Sequence, residues 1–315
     1  MESKNNWKGW LYLAPVLILL SVFTFFPIVN SFFISFLKGY DNINGTYQGF
    51  TFDNYLSVLT PYGSMGNGLG SMYDSVMKVA LPNTMLLTFI TVPCSIILSL
   101  VIAIALNSIK PLKKFFQTIF FMPYVTNAIA IGMVFSVIFS SDYGIINSML
   151  HTPNLTWITP TTSSMVAYPR ALFAICFYIV WHSLPYKILI FLGGLQNIDK
   201  QYYEAAQIDS TGKLKTAWKI TVPLLSPQIL YMMITSFIGA FKEYNSVIGL
   251  FGGQGGSFDG KTGPTSMQTM VFFIYDQIKS RYTVQYACAA AVFLFVIIMI
   301  FTVIQSKVSK KRVHY

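Results

Sequence analysis

The sequence predicts an all-α, polytopic integral membrane protein with six transmembrane helices. Of its 315 residues, 54% are hydrophobic and 10% are charged, whereas soluble domains carry about 25% charged residues. The hydrophobic residues are gathered in long runs with few charges, and about 20 such residues are enough for a helix to cross the bilayer core. We therefore expect a single transmembrane domain over residues 1–315.

The runs predict the six spans in chain order. The first run is longer than the core of a signal peptide and lacks a clear cleavage site of small residues, so we expect it to remain as an uncleaved span. The fifth run is apolar except for Lys242 and Glu243. The predicted spans are residues 11–36, 83–107, 115–139, 171–193, 226–250 and 283–305.

The charges between the spans predict the orientation of the chain. The two termini and segments 107–116 and 193–226 hold 13 Lys and Arg residues against four acids, whereas segments 38–82, 140–170 and 251–282 hold six of each. An excess of Lys and Arg marks the cytoplasmic side. Both termini and the connection between spans four and five are therefore expected to be cytoplasmic. Because the basic residues lie in short loops and at the termini, we expect no nucleic-acid partner.

The connection between spans four and five contains a polar segment, Tyr203–Pro227, with a helical pattern. Residues 210–212 interrupt this pattern with turn-forming side chains, which predicts two short helices at about 205–209 and 213–221. A helix–turn–helix of this kind is suited to docking a soluble partner, and the alternative is an amphipathic helix that lies on lipid headgroups. The residues that share one helical face are Leu214, Ala217, Trp218 and Val222.

This segment resembles the EAA loop of binding-protein-dependent ABC importer permeases. The family pattern is EAA, two residues, DGA and a hydrophobic–basic helix ending in I-x-x-P-x-x-x-P. The matching residues are Glu204, Ala205, Ala206, Asp209, Ile220, Pro223 and Pro227. The family glycine after the aspartate is replaced by Ser210, and a glycine follows at Gly212. In the family this loop is the coupling helix, which sits in a cleft of a cytoplasmic ATPase. The resemblance implies ATPase coupling for Glu204, Ala205, Ala206, Asp209, Ser210, Gly212, Trp218 and Pro223.

Further motifs are similar to the carbohydrate-uptake branch of the family, of the maltose and glycerol-phosphate types. They include Phe52–Tyr55, Phe121–Pro123, Tyr143–Asn147 and Phe191–Gln196. The resemblance implies a multi-pass subunit of a prokaryotic cell (inner) membrane importer for a sugar or oligosaccharide, working by alternating access. The expected partners are a second homologous permease subunit in a heterodimer, two copies of a cytoplasmic ATPase, and an extracellular lipid-anchored or periplasmic solute-binding protein.

Cofactors are expected on the partner subunits and not on this chain. The glycine-rich stretch of residues 249–264 lacks the GxxxxGK[ST] spacing of a phosphate-binding loop and is predicted to lie on the outer side, away from ATP. ATP and Mg would therefore bind to the ATPase subunits. The sequence has no metal-ligand spacing, no HExxH motif and only three widely separated histidines, so we expect no metal site and no enzymatic activity.

A sugar path needs aromatic faces and hydrogen-bonding groups. The candidates in the outer parts of spans three to five are Tyr124, Asn127, Trp181, Tyr186, Phe237, Phe241, Glu243, Tyr244 and Asn245. Lys242 and Glu243 are adjacent and therefore point about 100° apart on a helix, so both cannot face one narrow pore. The alternatives are helix packing or interfacial anchoring for the aromatic residues, and an ion pair at a subunit interface for Glu243.

Two other functions are compatible with a polytopic protein. A self-contained ion-coupled transporter would need several ionisable groups within its spans, and only Lys187, Lys242 and Glu243 qualify. Lys187 is expected to snorkel toward the inner surface, and His182 is expected to be a satisfied packing residue. An intramembrane enzyme would need a nucleophile–base pair or a carboxylate pair.

Overall fold

A computed structural model describes residues 6–61, 72–109, 113–140, 144–151, 155, 157–158, 164–254 and 266–309. The described chain is mostly helical and divides into two compact units. The first comprises Met1–Tyr73 with Ile274–Leu294, and the second comprises Asp74–Phe273 with Phe295–Tyr315. One permease domain over residues 1–315 stays a prediction.

The regular elements follow the apolar runs closely. They are α1 (Asn6–Leu20), α2 (Phe26–Ile34), β1 (Leu37–Lys38), β2 (Gly49–Phe50), α3 (Asp53–Leu59), α4 (Leu81–Ser108), α5 (Lys113–Val125), α6 (Ala128–Ile138), α7 (Ile145–Leu150), α8 (Ser164–Gln196), α9 (Lys200–Ile208), α10 (Lys213–Thr216), α11 (Val222–Leu224), α12 (Ser226–Phe241), α13 (Asn245–Phe251), α14 (Met270–Ile278) and α15 (Val284–Ser309). Turns of π-helix at Ser21–Phe25, Asp74–Ala80 and Ala217–Thr221 join α1 to α2, precede α4 and join α10 to α11.

The first unit contains a short antiparallel ribbon that the sequence did not predict. Leu37 pairs with Phe50 and Lys38 with Gly49, so the all-α expectation is corrected by two strands of two residues. Strands this short leave no alternation of polar and apolar residues that a sequence pattern could reveal.

An ion pair fixes the loop that joins these two strands. Arg281 donates from Nε to Oδ1 of Asp41 at 2.8 Å and from Nη2 to Oδ2 at 2.5 Å. The backbone N–H groups of Ile43 and Asn44 donate to the same carboxylate. The Arg281 hydrogen bonds hold the pKa of Asp41 well below its ordinary value, so this carboxylate is charged at neutral pH. The loop is therefore tied to the segment that precedes α15.

The second unit is built around α4, α8 and α12, which pack side by side. One of its buried hydrophobic clusters includes Phe135, Tyr178 and Leu250, and another includes Val92, Leu192 and Leu225. Because both clusters draw residues from several helices, the unit is held together by interhelical packing and not by any single helix pair.

Four helical segments among the described residues are long and apolar enough to cross a membrane. They are Trp7–Ile34, Asp74–Ser108, Tyr168–Gln196 and Val284–Val308. A fifth results if Lys213–Leu224 and Ser226–Phe241, bent by 68°, are counted as one span. Several membrane-length helices are thus present, while the count of six spans and the orientation of the termini stay predictions.

Predicted spans three and five are not continuous helices. Span three divides into α5 and α6 at Thr126–Asn127, where Oδ1 of Asn127 accepts hydrogen bonds from the N–H groups of Ile129 and Ala130. Span five divides into α12, which ends with Phe241, and α13, which follows a three-residue break. Each break frees backbone groups, and side chains such as Asn127 satisfy part of them.

The helices on the far side of these breaks meet through two glycines. A Cβ atom added to Gly132 of α6 would lie 2.7 Å from Cα of Gly249 in α13. In the other direction, a Cβ on Gly249 would lie 2.9 Å from Cα of Gly132. Small residues allow helix backbones to approach closely in membranes. The glycine pair therefore sets the distance between α6 and α13.

The substitution Gly132→Ala is expected to destabilise the protein by about 1–3 kcal/mol, the usual range for overpacking a tight interface. The new methyl group meets backbone, which cannot move aside without separating the helices. Thermal unfolding of the purified protein in detergent measures this loss. Gly193→Ala is the matched control, because a Cβ atom at this helical position has no neighbour within 4 Å. Equal unfolding temperatures for the two variants would contradict the close contact.

Candidate functional sites: a helix–turn–helix and a polar cavity

The segment between α8 and α12 folds as a helix–turn–helix, as the sequence predicted. Its first helix is α9, whose N-terminus is capped by Asp199 through a hydrogen bond from the Gln201 N–H at 3.0 Å. Its second helix runs through α10, the π turn and α11, over Lys213–Leu224. The Tyr203 hydroxyl lies 3.3 Å from Oγ1 of Thr221, so a side-chain hydrogen bond links the two helices.

The turn between these helices is closed by two backbone hydrogen bonds. The Thr211 N–H donates to the Ala206 carbonyl at 2.9 Å, and the Ser210 N–H donates to the Gln207 carbonyl at 3.0 Å. This pair of bonds is the Schellman motif, which usually places glycine in the left-handed conformation. Here Ser210 occupies that position with φ of +51°. The bend therefore turns at the residue where the family pattern has its glycine.

Gly212 does not occupy the left-handed position of the turn. It precedes α10 with φ of −65° and ψ of 151°, a conformation open to most residues. A Cβ atom there would have no neighbour within 4 Å. The two-residue displacement of the glycine therefore leaves the bend in place, and Ser210 bears the conformational cost.

The helix–turn–helix presents apolar and charged side chains to solvent together. Ile208, Leu214 and Trp218 are 85%, 81% and 72% exposed. The charged residues exposed around them are Glu204, Asp209, Lys213, Lys215 and Lys219. Of the other residues predicted for coupling, Ala205 is exposed, Pro223 is half-buried and Ala206 is buried. A patch with this composition is typical of a surface that binds another protein or a membrane.

The helix–turn–helix joins α12 through a sharp, tightly packed bend. The helical segments on either side of Leu225 meet at 68°, and the Leu225 side chain is fully buried. A Cβ atom on Gly194 of α8 would lie 2.7 Å from Cδ2 of Leu225. The bend is therefore held against α8, with glycine leaving the space that Leu225 fills.

A cavity of about 310 Å³, with a mainly apolar surface and several polar side chains in its lining, lies among the helices of the second unit. This volume is at the lower end of the range of about 300–1,000 Å³ found for small-molecule sites. The cavity is lined by Thr91, Val92 and Ser95 of α4, Tyr124 of α5, Ile179, His182, Ser183, Tyr186 and Lys187 of α8, Thr235, Ser236, Gly239 and Ala240 of α12, and Glu243.

Three of the predicted path residues line this cavity: Tyr124, Tyr186 and Glu243. The rings of Tyr124 and Tyr186 stack with their centroids 5.5 Å apart and their planes 15° from parallel. Oε1 of Glu243 accepts the Ser246 N–H at 3.0 Å. Lys242 is exposed and does not line the cavity. Lys242 and Glu243 lie in the break between α12 and α13, so the helical spacing expected for them does not apply.

The other predicted path residues lie outside the cavity lining. Trp181 packs on Phe135 with ring centroids 5.1 Å apart. Phe237 and Phe241 pack on Phe301, at 4.7 and 5.5 Å. The remaining three are Asn127, which caps α6, Tyr244, which lies 6.0 Å from Phe272, and Asn245, which begins α13.

Lys187 was expected to snorkel toward the membrane surface, and this expectation is wrong. Its side chain is buried, with 6% exposure for the residue, and Nζ donates to Oγ of Ser95 at 2.5 Å and of Ser183 at 3.1 Å. The two hydroxyls keep the ammonium inside the helix bundle. The signal in the sequence is the four-residue spacing from Ser183 to Lys187, which places both on one helical face.

His182 also differs from its expectation. Its Nε2 is buried and has no hydrogen-bond partner among the described groups, so it is not a satisfied packing residue. Its ring lies 5.8 Å from the ring of Tyr178 and faces the cavity. The cavity thus collects hydroxyl, imidazole, ammonium and carboxylate groups that the sequence distributes over four helices and one break.

A bundle of membrane-length apolar helices with a cavity among them and an exposed helix–turn–helix is the architecture of a multi-pass membrane protein. Residues 95–314 match the family described as the inner membrane component of binding-protein-dependent transport systems. The chain belongs to this family, and the resemblance inferred from its motifs is confirmed. Members are permease subunits of ABC transporters and not enzymes, because the ATPase is a separate partner.

The relatives match the chain over most of its length. The multiple sugar-binding transport system permease protein MsmF of Streptococcus mutans is 30% identical over 98% of this chain and 97% of its own. The lactose transport system permease protein LacF of Rhizobium radiobacter is 29% identical over 93% and 90%. A bacterial alginate ABC transporter, crystallised with an alginate pentasaccharide-bound periplasmic protein, has a chain with the same fold, with a TM-score of 0.77 at 17% identity over 98% and 96% of the two chains.

The substitution Ser210→Gly is expected to stabilise the helix–turn–helix by about 1 kcal/mol, because the left-handed conformation is unfavourable for residues with a Cβ atom. Amide hydrogen exchange of the peptides spanning residues 200–215 measures the change as slower exchange. Ser210→Val is expected to act in the opposite direction, and Gly212→Ala is the matched control with little effect. Faster exchange in Ser210→Gly than in the parent chain would contradict the assignment of the bend to residue 210.

Proposed function

We propose that this chain forms one half of the transmembrane path of an ABC importer for a sugar or oligosaccharide. The observation that carries the proposal is similarity over nearly the whole chain to permeases named for sugar transport, MsmF and LacF. The fold supports it independently, since the alginate transporter chain has the same architecture. A cavity inside the helix bundle that carries polar side chains and a docking surface outside it are the two features that such a subunit needs.

In the proposed function, the helix–turn–helix docks on a cytoplasmic ATPase. Its apolar side chains Ile208, Leu214 and Trp218 are exposed beside both acidic and basic residues. Interfaces commonly combine a few apolar anchors of this kind with a polar rim. The Schellman turn and the bond between Tyr203 and Thr221 give the surface a fixed shape, which reduces the entropic cost of docking.

The same geometry supports a route from the ATPase to the substrate path. The second helix of the helix–turn–helix continues through the packed bend at Leu225 into α12. Thr235 and Ser236 of α12 and Glu243 beyond it line the cavity. Closure of the ATPases would therefore displace the cavity wall, and alternating access would follow from this displacement. The stacked pair of Tyr124 and Tyr186 offers an aromatic face to a sugar ring.

The assembly that we propose contains six spans per permease subunit, with both termini in the cytoplasm. The broken helices α5–α6 and α12–α13 would supply spans three and five. A second homologous subunit would complete the path as a heterodimer, two ATPases would bind ATP and Mg, and an extracellular lipid-anchored or periplasmic protein would deliver the sugar. The charge asymmetry of the loops supports this orientation, with +9 on the inner segments and 0 on the outer ones.

The first test is the composition of the complex purified through a tag on this chain from its native membrane. We expect a second permease subunit and an ATPase to be retained. Glu204→Lys is expected to weaken binding of the ATPase at least about tenfold, because a reversed charge in an interface is repelled by the groups that it faces. Glu204 is exposed, so the substitution acts on docking and not on folding.

Lys307→Glu is the matched control, since Lys307 is exposed near the end of α15 and outside the helix–turn–helix. It should retain the ATPase in full. If the chain purifies alone and still moves solute without ATP, the proposal fails and the ion-coupled transporter replaces it. If Glu204→Lys retains both the ATPase and uptake, the docking role of this surface is wrong.

A further inference from the structure

Lys187 places a positive charge in the cavity without a negative partner. Its Nζ donates to two serine hydroxyls, Ser95 and Ser183. Within the described part of the chain, no carboxylate lies within 4.0 Å of this nitrogen. An ammonium group has three N–H donors, so the two hydroxyls use two of them. The charge itself is left uncompensated.

Such a charge requires an explanation, because charged side chains in a membrane span are costly and normally pair with an opposite charge or face a cavity. Lys187 faces a cavity and is nearly fully buried. An apolar residue of similar length in place of Lys187 would remove the energetic cost of burying the charge. Ser95 and Ser183 would then need no new hydrogen-bond partner from solvent. The arrangement is accounted for if the negative charge arrives with a ligand.

The carboxylate of the cavity lining belongs to Glu243, which forms no ion pair with Lys187. Glu243 interacts electrostatically with His182 and Tyr178, which precede Lys187 in α8. Lys187 follows His182 by five positions, which corresponds to about 7.5 Å along a helix. The carboxylate of Glu243 also accepts the Ser246 N–H. The cavity thus carries the carboxylate of Glu243 and the ammonium of Lys187 without an ion pair between them.

We propose that Lys187 binds the anionic group of the substrate and that the substrate is an acidic sugar, such as one bearing a uronic carboxylate. The sugar ring would lie against Tyr124 and Tyr186, which line the same cavity as Lys187. Ser95 and Ser183 hold the ammonium in place and leave its third donor for the ligand. This assignment rests on the proposed function and adds the substrate class to it.

The test uses the complete complex, purified through this chain and reconstituted in lipid nanodiscs without the solute-binding protein, so that the permease alone selects. The probes are galacturonobiose and its neutral counterpart galactobiose, and equilibrium binding of each labelled sugar is measured. A hydrogen bond to a charged group corresponds to about 10- to 100-fold in affinity. The parent complex should therefore bind galacturonobiose at least about tenfold more tightly than galactobiose.

Lys187→Met should abolish this preference, and Lys187→Arg should retain it. Lys242→Met is the matched control, because Lys242 is exposed and does not line the cavity, and it should keep the preference. Retention of the ATPase and of the second subunit by Lys187→Met shows that the variant has assembled. Equal binding of both sugars by the parent complex, or a preference that survives in Lys187→Met, would overturn the inference.

A failure of this inference is distinguishable from a failure of the proposed function. If neither sugar binds while the ATPase and the second subunit remain in the complex, the acidic-sugar assignment is overturned and the importer is not. If the complex also lacks the ATPase, both are overturned. Preferential binding of galacturonobiose that depends on Lys187 supports the acidic-sugar assignment and the importer function.

Discussion

The interior of a bilayer offers no water to hydrogen-bond, so backbone polar groups placed there need partners within the protein. This constraint explains the side chains at the breaks in the helix bundle. Asn127 caps α6, and Thr269 donates to the carbonyl of Glu243 at 2.6 Å. Asn83 donates to the carbonyls of Ser266 and Gln268. The breaks are therefore fixed features, and two of them adjoin the cavity.

The sequence predicted the helical segments well because long apolar runs and a polar helical stretch are strong signals. It did not predict the interruptions of spans three and five, because hydrophobicity averaged over a run is insensitive to a break of two or three residues. Asn127 and Tyr244 were visible as polar residues in apolar runs. They were assigned to a substrate path, whereas the structure uses Asn127 as a helix cap and packs Tyr244 against Phe272.

The sequence predicted only some of the residues that line the cavity, because phenol and phenyl side chains prefer different surroundings. Tyr124 and Tyr186 line it, whereas Phe237 and Phe241 pack against Phe301. A phenol has a hydroxyl to satisfy and so favours a polar wall, while a phenyl ring gains most from apolar contact. Lys187 was misjudged because the position of Ser95, on another helix, depends on how α4 packs against α8. Sequence spacing carries no information on that contact.

The distance from the bend at Leu225 to the far end of α12 determines how far that end moves when the helix tilts. Helix α12 has 16 residues and is therefore about 24 Å long. If the buried corner acts as a fixed pivot, a rotation of about 5° displaces the far end of this helix by about 2 Å. That distance is enough to break a hydrogen bond, which weakens steeply beyond about 3.2 Å. A tilt of a few degrees is thus sufficient to break a polar contact of the cavity near the far end of α12.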